Sequence, residues 1–212
     1  MTRWFSIKPG ITLKGRKFKG LRGWAGKPFH PPLTDIPVAA YVVAPIFDVL
    51  AYVFTRYPSF YETDPGTAQG LFDAATYTFV AGYVVAIPTI ITGFWDWWKG
   101  LERDHSTGWL GKAKRTQAWR TANWHAVMML AANVLVLVAI VIRWKGDATV
   151  PSLGLLILSL LIALIVFVGA TYGGSLVYDY AFNVEQDIDY AWEERETDVL
   201  PGKEKPVADT TP

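Results

Sequence analysis

Four blocks of apolar residues, each about twenty residues long, dominate the chain and decide the solvent in which it folds. They run from Ile36 to Phe54, Tyr77 to Trp98, Trp124 to Trp144 and Leu153 to Tyr172. A hydrocarbon core about 30 Å thick needs about twenty helical residues to cross it. Lipid offers no partner to a bare backbone N–H or C=O, so each block is expected to close its own hydrogen bonds as a helix. The predicted fold is all-α, an integral membrane four-helix bundle. Pro37 falls in the first turn of helix one, where a missing N–H matters little, whereas Pro45 and Pro88 lie deeper and predict kinks.

Charge sorts along the chain although its formal net value is only +1. The segment before the first span carries Arg3, Lys8, Lys14, Arg16, Lys17, Lys19, Arg22 and Lys27. The loop between helices two and three carries Lys99, Arg103, Lys112, Lys114, Arg115 and Arg120. On the opposite side only Arg56, Arg143 and Lys145 are counted. By the positive-inside rule, both termini are expected in the cytoplasm. Trp95, Trp97, Trp98, Trp119 and Trp124 fit an inner aromatic belt, and Tyr57, Phe60, Tyr61 and Trp144 an outer one. The expected organisation is a basic N-terminal arm (1–35), a transmembrane domain (36–175) and an acidic C-terminal tail (176–212). The arm suits anionic lipid rather than nucleic acid. Its lack of an apolar h-region predicts no cleavable signal peptide.

Cysteine is absent, which excludes disulfides, thiolate metal sites, cysteine-held iron–sulfur clusters and c-type haem attachment. Walker-type loops, GxGxxG, HExxH and GxSxG are absent too. No nucleophile–base pair can be named, and no independent catalytic activity is expected.

The three histidines, His30, His105 and His125, gather on the basic side. A b-type haem in a helix bundle takes axial imidazoles from facing helices, and His30 and His125 lie at matching depth for that role. A divalent metal held by His105 with Asp35 or Asp96 is a weaker alternative. Asp48 is the anomaly inside a span, since an intramembrane carboxylate must face the bundle interior and find a partner. Asn133, at comparable depth in helix three, is the expected one. Gly169-x-x-x-Gly173, with Ala170-x-x-x-Gly174 beside it, reads as a close-packing stripe on helix four.

Four segments together resemble a bacterial membrane family known as a domain of unknown function (number twenty-two thirty-one). They are His30-Pro31-x-Leu33 with Pro37-x-Ala39; Gly93-x-x-Asp96-Trp97; Arg120 followed by His125; and Gly173-Gly174-x-Leu176-Val177-Tyr178. The resemblance covers roughly residues 28–184 and implies a four-helix membrane protein. Some members are fused to Rieske-type iron–sulfur domains, which implies a redox setting. The chain departs from the family where Ala181 stands in place of a usual glycine.

Three functions stay open. The first is an accessory subunit of a larger respiratory or photosynthetic electron-transfer complex in a bacterial inner membrane, packing against other subunits through its helices and tails. The second is a b-type cytochrome with haem on His30 and His125. The third, a small transporter or sensor using Asp48, is weakest, because no inverted repeat relates residues 36–98 to 124–174.

Overall fold

The computed structural model describes residues 21, 28–57, 64–101, 103–104, 112–146 and 148–182. The basic arm apart from Leu21 and residues 28–35, His105, and the acidic tail beyond Phe182 lie outside the described residues. Four helices follow in order: α1 (His30–Arg56), α2 (Pro65–Gly100), α3 (Gln117–Lys145) and α4 (Leu153–Tyr178). All four are long and apolar enough to cross a membrane, so the all-α bundle expected from hydropathy is the fold. Between α2 and α3, β1 (Arg103–Asp104) pairs antiparallel with β2 (Lys112–Ala113) in a minimal ribbon.

The helices overrun the apolar blocks. α1 starts at His30, inside the segment assigned to the arm, α3 starts at Gln117 rather than near Trp124, and α4 continues to Tyr178. Hydropathy marks where hydrocarbon ends, whereas a helix ends where its last backbone groups find other partners. Pro31 and Pro32 open α1 where N–H groups would be orphaned anyway. Thr116 caps α3 by accepting from the Trp119 amide at 3.1 Å, and Ser152 caps α4 through the Leu155 amide at 3.2 Å.

Two hairpins, α1–α2 and α3–α4, pack side by side with α1 also on α4 and α2 on α3. That leaves α1 and α3 facing each other across the diagonal. Small residues make the close approach possible, with Ala40, Ala44, Ala75, Ala86, Ala132 and Ala139 all buried. At Gly82 a Cβ would lie 2.6 Å from the Ala40 Cβ, so only glycine lets α2 come this near α1. Large apolar side chains such as Ile46, Val84, Ile91, Val134, Leu164 and Phe167 point outward, as a lipid-facing surface requires. Trp95 and Trp124 lie exposed at one end of the bundle, Tyr57 and Trp144 at the other.

Because α1 starts at His30, Pro37 lies two turns inside the helix rather than in its first turn, and its missing N–H leaves a carbonyl to be satisfied from elsewhere. Pro37 cannot donate to the Leu33 carbonyl, and Thr89 of α2 does so instead, its hydroxyl 3.1 Å away. After α4 the chain turns through Ala181 at φ +47°, and the Phe182 amide reaches back to the Leu176 carbonyl at 2.7 Å. This left-handed position is where the resembled family places glycine, and it strains a Cβ. Ala181→Gly is therefore expected to raise stability by about 1 kcal/mol, readable as a higher unfolding midpoint in detergent.

Candidate functional site

His30 opens α1 and His125 lies two turns inside α3, both at the bundle end that receives the basic loop and both termini of the helical domain. The diagonal arrangement brings their imidazoles together, with ring centroids 6.4 Å apart and planes 83° from parallel. Each ring is pinned by the second helix of its own hairpin. His30 Nδ1 lies 3.0 Å from the Thr89 carbonyl of α2, and His125 Nδ1 lies 2.8 Å from the Gly169 carbonyl of α4. A carbonyl only accepts, so Nδ1 carries the proton in both rings and donates it. Nε2 of each histidine is thereby left with its lone pair.

The two half-sites repeat each other. Four residues after each accepting carbonyl stands a glycine against the same ring, Gly93 for His30 and Gly173 for His125. A Cβ on Gly93 would fall 2.5 Å from His30 Cε1, and one on Gly173 would fall 2.9 Å from His125 Cε1. Both hairpins start at the same end, so the repeat is parallel, with its axis along the bundle between the imidazoles. The stripe Gly169-x-x-x-Gly173 thus serves the histidine as well as packing, with Gly169 also pressed against Met128 and Met129.

A second polar pair spans the same diagonal near the other end. Asp48 is fully buried, and its partner is Arg143, Nη2 to Oδ2 at 2.5 Å. This corrects the assignment of Asn133 to Asp48. Asn133 instead accepts from the Tyr41 hydroxyl at 2.8 Å while donating to the Met129 carbonyl. The reason is depth: Asn133 lies only eight residues past His125, about 12 Å, whereas Asp48 lies eighteen past His30, about 27 Å. Arg143 is likewise no loop base, being only 5% exposed inside α3. Its Nη1 donates to Thr76 Oγ1 at 3.2 Å, and its guanidinium lies 4.6 Å from the Phe72 ring centre and 5.4 Å from that of Phe79. The signal missed in the sequence is that Arg143 also lies eighteen residues past His125.

Of the alternative metal set, Asp35 and Asp96 are described and His105 lies outside the described residues. Among the described residues no three His, Cys, Asp or Glu side chains form such a group. Asp35 is exposed on α1, and Asp96 is buried and accepts the Leu21 amide at 3.3 Å. That bond draws the arm at Leu21 to the histidine end of α2.

Fold and site together define a four-helix multi-pass membrane protein with two interior histidines paired across the bundle. The chain belongs to the family described as Predicted membrane protein (DUF2231), which it matches over residues 26–186. The matched stretch contains both histidines, both glycines that support them and the Asp48–Arg143 pair. Comparison with curated proteins and with solved structures finds no match.

Two outcomes are expected. Gly93→Leu should push the His30 ring off the Thr89 carbonyl, so that its ring-nitrogen NMR shifts change from a single Nδ1–H tautomer to a mixture, with His125 unaffected. Arg143→Met should leave the Asp48 carboxylate buried without its counter-charge and lower stability by about 3–5 kcal/mol, measured by reversible unfolding in bicelles.

Proposed function

We propose that this protein is a b-type membrane cytochrome that holds one haem between His30 and His125. The observation that carries the proposal is the imidazole pair itself. Two imidazoles that shared one metal ion would have to lie about 6 Å apart centre to centre. The observed separation is 6.4 Å, between residues on the two diagonal helices α1 and α3. Metal-ligating histidines usually donate the other ring N–H to a carbonyl or carboxylate, which fixes the tautomer and raises ligand basicity. Thr89 and Gly169 supply such carbonyls here, one to each ring.

Haem bound this way supplies reversible one-electron transfer. The protein's own part is to present both Nε2 lone pairs, hold each ring against a glycine, and keep the surroundings apolar. An accessory subunit of a redox complex would have no need for two neighbouring imidazoles each pinned by a main-chain carbonyl, so the cytochrome reading is preferred to it. Electron partners, whether membrane subunits or soluble carriers, follow from the proposal because a cytochrome needs a donor and an acceptor. Reassigning Arg143 to the interior leaves Arg56 and Lys145 as the basic residues on the far side of the bundle. Fourteen lie before the first span and between the second and third, at the histidine end. By that bias we infer a cytoplasmic histidine end.

The test is an absorption spectrum of protein purified from haem-replete cells. A Soret band with one haem per chain is expected, lost in both His30→Ala and His125→Ala and kept in Asp48→Asn. A colourless protein that also takes up no added haemin would overturn the proposal.

A further inference from the structure

Positions thirty and forty-eight in α1, and one hundred and twenty-five and one hundred and forty-three in α3, are each eighteen residues apart. Eighteen residues make five turns at 3.6 residues per turn, so both members of each set project from the same side of their helix, about 27 Å apart. His30 faces His125 and Asp48 meets Arg143, hence α1 and α3 run parallel across the diagonal with equal spacing between two polar ties. Between these ties α1 and α3 meet across an interior of Ala40, Ala44, Ala132, Val136, Ala139 and Ile140, while α1 on α4 and α2 on α3 complete the contact of the hairpins.

We infer that the Asp48–Arg143 pair is a register clamp, a pair of positioning residues that holds the first hairpin against the second so that His30 and His125 stay level. The inference rests on the haem reading for its purpose, but its geometry stands without it. Two features set the pair apart from an ordinary stabilising ion pair. Asp48 Oδ1 and Arg143 Nε find no hydrogen-bond partner among the described residues, although both side chains are almost wholly buried. Buried pairs left short of partners contribute little net stability, whereas fixing register is the best-attested use of buried polar contacts. The second feature is that Arg143 also bonds Thr76 of α2 and lies on Phe72 and Phe79. One side chain of the second hairpin therefore grips both helices of the first. Tyr41 and Asn133 add a neutral tie between the two levels.

The chain contains no cysteine, so cross-linking has no background. Cysteine is placed at His30 and, in separate chains, at Ala122, His125 or Met129, and cross-linking is run in native membranes with a short bifunctional maleimide. These substitutions remove haem ligands, so the readout reports register whether or not haem binds. With Asp48 and Arg143 intact, linkage is expected to peak sharply at the 30–125 pair. In Asp48→Leu with Arg143→Met, which removes both charges together, linkage should spread to the one-turn neighbours while the protein remains folded and inserted. The same double change made with both histidines present should keep the Soret band but broaden the low-spin ferric signal. A sharp 30–125 peak in the folded apolar variant would overturn the clamp. Should that variant fail to insert, the exchange Asp48→Arg with Arg143→Asp decides. A recovered 30–125 peak supports the clamp, and a failure to recover it overturns it. A colourless wild-type protein with a clamp-dependent peak would sink the haem reading and leave the clamp standing.

Discussion

In hydrocarbon, a polar side chain has no solvent to fall back on and must find its partner inside the protein. The structure is organised by that constraint. Polar side chains cross between the hairpins at three levels along one diagonal: the imidazoles of His30 and His125, the Tyr41–Asn133 hydrogen bond, and the Asp48–Arg143 ion pair, whose arginine also reaches Thr76 of α2. The apolar residues fill the remaining volume and face the lipid, but they gain no hydrophobic free energy by exchanging a lipid tail for a helix neighbour, only closer packing. Specific assembly of the two hairpins therefore falls to small residues that permit close approach and to these few polar ties.

The histidine end shows how the same constraint prepares a ring for ligation. An imidazole inside a bundle needs an acceptor for its N–H, and each hairpin supplies a main-chain carbonyl from its second helix. The helix gives up no side chain for this, and the nearby glycine makes room for the ring. Because both hairpins use the same device, the unprotonated nitrogens belong to equivalent positions about the bundle axis. A single metal centre on that axis would use both halves alike, which is the physical content of the proposed haem site.

Much of the fold was legible in the sequence, since four apolar blocks of spanning length leave one class of answer. The helix ends were not, because hydropathy is blind to the turns beyond the hydrocarbon, and His125 consequently lies deeper in α3 than its block suggested. His30 and His125 stood out by residue type alone. Their carbonyl partners did not, since any residue offers a carbonyl and only the fold selects Thr89 and Gly169. Asp48 stands out in the sequence as an intramembrane acid, whereas its partner does not. Arg143 precedes Trp144 at the edge of its apolar block, which disguised a buried base as a loop residue. The matching eighteen-residue intervals were present in the sequence all along, and they become meaningful only once α1 and α3 are known to be parallel and diagonal. Ala181 was noticed as a departure from glycine, and its positive φ supplies the physical reason glycine is favoured there.

Perpendicular imidazoles give the most direct test of a shared metal between His30 and His125. With ring planes 83° from parallel, a ferric haem on both nitrogens should give a strongly anisotropic low-spin electron paramagnetic resonance signal, dominated by one large g value. That spectrum, from the oxidised protein in membranes, is the result the account predicts. A high-spin signal, as from a single histidine ligand, or the rhombic low-spin pattern of parallel rings would contradict it.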